Sequence, residues 1–132
     1  MQTNQNSLQK RGHLSGICSN CGTMYRNLRL VYITTKDEEE ALRIGKKLIQ
    51  NRLASCINIL PGMKSVYRWE GELIQDNEVV LIVKTHYSKL PEITEFVKSN
   101  HSYDCPCVVS FNLSEDEGNT EYLNWLLGEV HS

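Results

Sequence analysis

The chain has 132 residues, which suits one compact domain and leaves no room for a second of ordinary size. Fourteen basic and sixteen acidic side chains give a net charge of −2, so binding to the phosphate backbone of nucleic acid is not expected. With 40% hydrophobic residues and a longest strongly apolar run of only Val79 to Val83, the composition is that of a globular protein without a membrane-spanning helix.

The first 27 residues differ in composition from the rest of the chain. They are rich in Gln, Asn, Ser and Gly, and they contain no acidic residue and no apolar run typical of a secretory signal. We predict a flexible tail over residues 1–27 and a folded domain over 28–132. Lys10, Arg11 and Arg26 leave a mitochondrial transit peptide as an alternative, but the low Arg density and the lack of an evident amphipathic helix favour a cytoplasmic location.

Five cysteines, an odd number, favour reduced thiols over a disulfide framework. Cys18 and Cys21 have the spacing of half a zinc knuckle or of a redox pair, and Cys105 and Cys107 are the remaining pair that could complete it. Because the one-residue spacing of the second pair is unusual for a structural zinc, we favour two free thiols in the tail.

Regular hydrophobic patterns begin at residue 28. The β-branched and aromatic content of residues 28–33 predicts a first strand. Residues 35–38 then have the form of a capping box, and helical spacing of apolar residues predicts a helix over 37–53. Acidic residues in its first turn and Arg52 in its last suit the helix dipole.

The middle of the chain predicts a long hairpin. Residues 54–60 form a second strand with two unlike faces, of which one carries Cys56 and Asn58, and Pro61-Gly62 predicts a turn after it. A further extended segment reverses at Glu70-Gly71-Glu72 and leads into a nearly continuous apolar strand over residues 78–85.

The last third predicts a helix, a strand and a short helix. Ser88 is expected to cap a helix that ends near residue 100, residues 108–113 predict the last strand, and a short helix follows Gly118-Asn119. The order is that of an α+β, ferredoxin-like βαββαβ sandwich with a short C-terminal helix. Its second sheet face is left uncovered, is expected to carry Cys56, Asn58, Tyr67 and Trp69, and favours self-association.

Several phrases in a fixed order resemble the CutA family of divalent-cation-tolerance proteins. They are Ala54-Ser55-Cys56-Ile57-Asn58, Pro61-Gly62, Ser65-Val66-Tyr67-Arg68-Trp69-Glu70-Gly71, Leu81-Ile82-Val83-Lys84-Thr85, Asn100-His101-Ser102-Tyr103 and Gly118-Asn119-Thr120-Glu121-Tyr122-Leu123-Asn124-Trp125. The resemblance covers about residues 28–130. It implies a ferredoxin-like subunit in a tight homotrimer, similar to the PII signalling proteins, in which strands of neighbouring subunits extend each other's sheets.

The resemblance also implies a function. Members of the family are linked to copper tolerance in bacteria and bind copper and other divalent ions, without a cofactor that the fold requires. In animals they are associated with the membrane anchoring and processing of acetylcholinesterase. The resemblance therefore implies a trimeric metal-binding protein, with a non-enzymatic trimeric adaptor for a partner protein as the alternative.

Carried over residue by residue, the family's metal site implies Cys56 and His101 as ligands. The family phrase His-Pro-Tyr-x-x-Pro-Glu reads His101-Ser102-Tyr103-Asp104-Cys105-Pro106-Cys107 in this chain, so Cys107 replaces the usual glutamate. Thiolates with an imidazole favour Cu(I) or Zn(II), and Cys105 and Cys107 are further candidate thiols. The residues alone leave open that Cys56 packs at a subunit interface and His101 ends a helix.

A second candidate site consists of polar and aromatic residues. Trp69, Glu70, Lys84 and Tyr103 match a cluster that the family places in a cleft between subunits, where Lys84 could hold an anion or pair with Glu70. An interfacial ion pair beside a buried tyrosine hydroxyl is the alternative, and Trp69 is expected to pack rather than to bind a ligand.

Catalysis is not predicted. Cys56, His101 and Asp104 are the residue types of a cysteine hydrolase, but nothing in the sequence places them in contact. The sequence also lacks a nucleophile elbow, a Gly-rich phosphate loop and a paired-carboxylate motif.

Overall fold

The computed structural model describes residues 25–130. Its helices and strands, in chain order, are β1 (Leu28–Thr35), α1 (Glu38–Gln50), β2 (Cys56–Trp69), β3 (Glu72–His86), α2 (Leu90–Asn100), β4 (Val108–Asn112) and α3 (Thr120–Val130). The strands form one antiparallel sheet in the order β2-β3-β1-β4. This is the predicted ferredoxin-like α+β fold with its short C-terminal helix. Over the same residues, no helix combines the length and the apolar character needed to cross a membrane.

The main core lies between one face of the sheet and the two helices α1 and α2. Alternate residues of β1 and β3 point toward the helices, because successive side chains of a strand face opposite sides of the sheet. The helices contribute residues three or four positions apart, so that each presents one apolar stripe. The buried core residues include Val31, Ile33, Ala41, Ile44, Leu48, Leu81, Val83, Ile93 and Val97.

Helix α1 begins and ends differently from the prediction. Asp37, rather than Thr35, caps it by accepting a hydrogen bond from the Glu40 N–H at 2.8 Å, while Glu40 accepts one from the Lys36 N–H at 3.1 Å. The helix ends at Gln50 and not at 53, so Arg52 lies beyond its last turn. Arg52 takes a left-handed conformation with φ 58°, and the Leu53 N–H then bonds back to the Leu48 carbonyl. This ending is favoured because it buries Leu53 in the core.

The turn predicted at Pro61-Gly62 is wrong. Strand β2 continues through these residues, and its pairing with β3 shifts between Leu60 and Met63. A bulge of this kind absorbs the unpaired residues, and Gly62 takes the positive φ of 81° that suits glycine. Proline is tolerated here because β2 is an edge strand, whose outward N–H groups have no partner in the sheet.

Helix α2 follows a short turn that the sequence analysis did not predict. A 3-10 helix spans Tyr87–Lys89, and the His86 side chain caps it by accepting a hydrogen bond from the Ser88 N–H at 3.2 Å. Ser88 is therefore not the helix cap that we expected. Pro91 does lie in the first turn of α2, where its missing N–H costs nothing.

The second sheet face is covered at one end only. Register and strand alternation place Cys56 and Asn58 on this face, as predicted, together with Tyr67 and Trp69 on the extension of β2. Helix α3, however, packs over the end that contains Cys56. The prediction of a wholly uncovered face is therefore wrong, because α3 buries its apolar side against this end of the sheet.

Tyr25 shows that the ordered fold starts before residue 28. Its side chain is buried against Leu28 and Leu126, and its hydroxyl donates to the Asn124 side chain at 2.8 Å. The predicted boundary between tail and domain is thus three residues late, since 25–27 form a helical turn on the domain. The predictions for residues 1–24, including Cys18 and Cys21, lie outside the described residues.

The core between helix and sheet predicts unequal effects of truncation along α1. Ile44 is fully buried, whereas Leu42 on the same helix is 42% exposed. We expect Ile44→Ala to lower the free energy of unfolding by about 2–5 kcal/mol, because it removes buried surface and leaves a cavity. Leu42→Ala, the matched control, should cost less than about 1 kcal/mol. Urea unfolding of both variants at one protein concentration tests this, and equal losses would contradict the assignment of the buried stripe.

Candidate functional site

The loop between α2 and β4 brings a tyrosine onto a buried carboxylate of the central sheet. Tyr103 donates its hydroxyl hydrogen to Glu78 at 2.8 Å. Glu78 is only 9% exposed, although it begins the apolar part of β3. Burial, reinforced by the charge of Glu78, raises the pKa of Tyr103 far above its usual value. The phenol therefore stays protonated and acts as a hydrogen-bond donor at any physiological pH.

The charge of the same carboxylate also acts on Cys107. It immediately precedes β4, and alternation along the strand places it on the second sheet face, opposite the core-facing Val108. Burial raises the pKa of the Cys107 thiol, and the negative charge of Glu78 raises it further. The thiol is therefore favoured over the thiolate near neutral pH.

The loop is anchored at its start by Glu40. One carboxylate oxygen of Glu40 accepts a hydrogen bond from the Ser102 N–H at 2.8 Å, and the other accepts one from the Ser102 hydroxyl at 3.1 Å. Burial alone would raise the pKa of Glu40, but the hydrogen bonds from the Lys36 and Ser102 N–H groups and the Ser102 hydroxyl, with nearby His101, outweigh it and lower the pKa. Glu40 is consequently a buried, ionised group at neutral pH.

His101 uses both ring nitrogens to hold the loop. Its Nδ1 accepts a hydrogen bond from the Tyr103 N–H at 3.0 Å, so Nε2 carries the proton of the neutral ring and donates to the Thr34 carbonyl at 2.8 Å. The side chain is fully buried, 3.9 Å from Glu40. A metal ion could bind His101 only if one of these hydrogen bonds were broken. His101 directly follows the last residue of α2, in agreement with the alternative prediction that it ends a helix.

Cys56, the other predicted ligand, lies elsewhere on the sheet. It pairs with Lys84, which in turn pairs with Leu30 of β1, whereas His101 contacts Thr34. Four residues of β1 separate these positions, a distance of about 13 Å. Within one chain the structure therefore does not bring Cys56 and His101 together.

The second predicted cluster is also spread along the chain. Lys84 donates to the Tyr122 hydroxyl at 3.0 Å and lies 5.2 Å from the centre of its ring. Trp69 and Glu70 lie at the far end of the β2–β3 hairpin, about 40 Å along β3 from Lys84. Tyr103 contacts Glu78 rather than either of them. In a single chain these residues form no shared pocket, so a common site would need more than one copy.

Neither Glu40 nor Glu78 was among the predicted site residues. Glu40 carried a signal, because it stands three residues after Asp37 in the spacing of a capping box. Glu78 directly precedes the apolar run of the central strand, where a charged residue marks the end of the buried segment. Their partners on the 101–103 loop are distant in sequence, and no spacing rule predicts those contacts.

Thiols are the soft donors available for a metal in this structure. Cys56, Cys105 and Cys107 are unpaired, and of these Cys105 is exposed. Across residues 25–130, however, no three His, Cys, Asp or Glu side chains are gathered as a ready-made metal centre. Such a chain could bind an ion that needs few ligands, or could complete a site with a second copy.

Residues 29–129 match the family described as CutA1 divalent ion tolerance protein. The chain belongs to the CutA family. It is 46% identical over 97 residues to the divalent-cation tolerance protein CutA of Thermus thermophilus, covering 74% of this chain and 92% of that one. It is 41% identical over 97 residues to a chloroplastic CutA protein of Arabidopsis thaliana, with 74% of this chain but about half, 52%, of the plant protein covered.

Solved structures of the CutA family share the fold. CutA1 from Oryza sativa superposes with a TM-score of 0.74 at 41% identity, covering 79% of this chain and 94% of that one. The Thermus thermophilus divalent cation tolerance protein gives a TM-score of 0.69 at 46% identity and covers 75% of this chain and 94% of its own. The predicted family is therefore confirmed.

The buried carboxylate of Glu40 predicts a pH-dependent stability difference. Glu40→Gln places an amide NH2 where the chain offers only donors, so we expect a loss of about 1–3 kcal/mol at pH 7. Because the folded-state pKa of Glu40 is lowered, its contribution is complete above the unfolded pKa of about 4.3 and is lost as pH falls through the folded value.

Denaturant unfolding of the wild type and Glu40→Gln between pH 7 and pH 3 measures this contribution. The stability difference should be largest near neutrality and should shrink in acid. The matched control is Glu39→Gln, because Glu39 is exposed in the same helical turn. A pH-independent difference, or an equal loss in the control, would show that the ionised Glu40 does not stabilise the fold.

Proposed function

We propose that this CutA-family protein is a non-catalytic homotrimer that binds a soft metal ion through cysteine thiolates and thereby contributes to metal tolerance. The observation that carries the proposal is the presence of three unpaired thiols, Cys56, Cys105 and Cys107, in the described domain. The description of the matching family as divalent ion tolerance proteins supports the same role. Thiolates favour Cu(I) and Zn(II) over Mg(II) and Ca(II), which prefer oxygen ligands.

Self-association is supported by apolar surface that a single chain leaves in water. On the second sheet face Leu60 is 52% exposed and Phe111 is 51% exposed, and on the hairpin Trp69 and Leu73 reach 61% and 72%. Strands β2 and β4 are both edges of the sheet, so the edge of one copy can pair with that of the next. Head-to-tail contacts of this type close into a ring, and the family resemblance gives three as the number of copies.

A homotrimer would also allow candidate site residues that are far apart in one chain to come together from different subunits. Cys56 and His101, and likewise Lys84 and Glu70, lie far apart within one chain. Neighbouring subunits could bring residues from opposite ends of the sheet to one interface. The predicted intersubunit pocket of Trp69, Glu70, Lys84 and Tyr103 remains part of this proposal.

The adaptor role and the location of the protein stay predictions. Three copies of the tail on one trimer would favour an adaptor role, because multivalent display raises apparent affinity. Of this tail, residues 1–24 lie outside the described residues. The location depends on the same segment: a mitochondrial protein would use it as a transit peptide, and a cytoplasmic protein would keep it as a tail.

The exposed sheet face predicts which substitutions break the trimer. Phe111→Glu places a charge in the apolar face, whereas Ser110→Glu places one on the same strand but on the opposite face. Sedimentation should give a trimer for the wild type and for Ser110→Glu and a smaller species for Phe111→Glu. A monomeric wild type would contradict the proposed assembly, and so would a Phe111→Glu variant that stays trimeric.

Metal binding predicts a thiol-dependent gain in mass. Native mass spectrometry of the reduced full chain, before and after anaerobic addition of Cu(I) or Zn(II), should show a trimer that takes up ions. Alkylation of the thiols with iodoacetamide should abolish the uptake, because an alkylated sulfur cannot form a thiolate ligand. A reduced trimer that binds neither ion would contradict the metal-binding role and would favour the adaptor role.

A further inference from the structure

Cys105 and Cys107 lie on a loop whose ends are both fixed to the domain. At its start, the Ser102 N–H and hydroxyl bond to buried Glu40. At its end, Val108 enters β4 and pairs with Ile33 of β1. The segment between them is short, so the two thiols are presented from a rigid base.

The intervening proline restricts the backbone between the two thiols. Pro106 has a fixed φ, and the residue before a proline is confined to extended conformations, which here applies to Cys105. The Cα atoms of residues two apart are at most about 7 Å from one another. Because Cys105 is exposed, its side chain can rotate toward the half-buried Cys107 without displacing core residues.

Two thiolates without a third ligand select among soft metal ions. Zn(II) takes four ligands in structural sites, and residues 25–130 gather no group of three His, Cys, Asp or Glu side chains. Cu(I) is soft and accepts a linear arrangement of two thiolates. The donor number, together with the donor type, therefore favours Cu(I).

We propose that Cys105-Pro106-Cys107 is a two-thiolate Cu(I) site, separate from Cys56 and His101. The inference rests on the proposed metal-binding function and assigns its ion and its residues. Binding forms two Cu–S bonds and releases the two thiol protons to water. Copper remains Cu(I) throughout, so the step needs no oxidant or reductant.

Competition with a chromophoric Cu(I) chelator tests the site on the reduced full chain under anaerobic conditions. The wild type should take up about one Cu(I) per chain, and Cys105→Ser/Cys107→Ser should lose at least about tenfold in apparent affinity. Cys18→Ser/Cys21→Ser is the matched control for a thiol pair elsewhere in the chain, and it should bind Cu(I) as the wild type does.

The outcomes separate this site from the proposed function. If Cys105→Ser/Cys107→Ser keeps full uptake while alkylation abolishes it, the protein binds metal at other thiols and the inference is wrong. If the reduced wild type takes up neither Cu(I) nor Zn(II), the proposed function fails as well. Loss of uptake in Cys18→Ser/Cys21→Ser also overturns the two-thiolate site. Circular dichroism of each variant verifies that the fold is intact.

Discussion

The buried carboxylate of Glu40 connects the parts of this protein that are distant in sequence. It completes the N-terminal cap of α1 through the Lys36 N–H, and it binds the backbone and hydroxyl of Ser102 at the start of the loop after α2. A buried ionised group is stable only when hydrogen bonds replace its lost hydration, and this one receives them from two separate segments. One side chain therefore ties the start of the loop to helix α1.

The loop conformation in turn determines which loop side chains lie on the second sheet face. His101 holds the Tyr103 N–H with one ring nitrogen and the Thr34 carbonyl with the other, and Tyr103 then reaches Glu78 of β3. This chain of contacts places Cys107 near a buried negative charge. The histidine that the family resemblance marks as a ligand thus acts, in the single chain, as a buried structural residue.

A single chain leaves both its surface and its predicted sites incomplete. Apolar side chains of the second sheet face and of the β2–β3 hairpin remain in water, and helix α3 covers only the end near Cys56. Of the residues matched to the family's intersubunit cluster, Trp69 and Glu70 lie at one end of β3 and Lys84 near the other, while Tyr103 contacts Glu78 between them. Burial of this surface between copies would remove the energetic cost of exposing it.

The sequence by itself determined the order of helices and strands, the ferredoxin-like fold and the family, because hydrophobic periodicity and capping residues act over a few neighbouring positions. It misplaced the end of α1 and the Pro61-Gly62 turn, since the first depends on the core that buries Leu53 and the second on the pairing of β2 with β3. The cap of α1 was misplaced between two local candidates, because Asp37 caps the helix and Thr35 does not. The placement of α3 over Cys56, the engagement of both His101 nitrogens and the contact of Tyr103 with Glu78 were decided by tertiary structure alone. These contacts join residues dozens of positions apart. Hydrophobic periodicity and capping preferences act over a few neighbouring residues, so they do not predict which distant side chains come into contact.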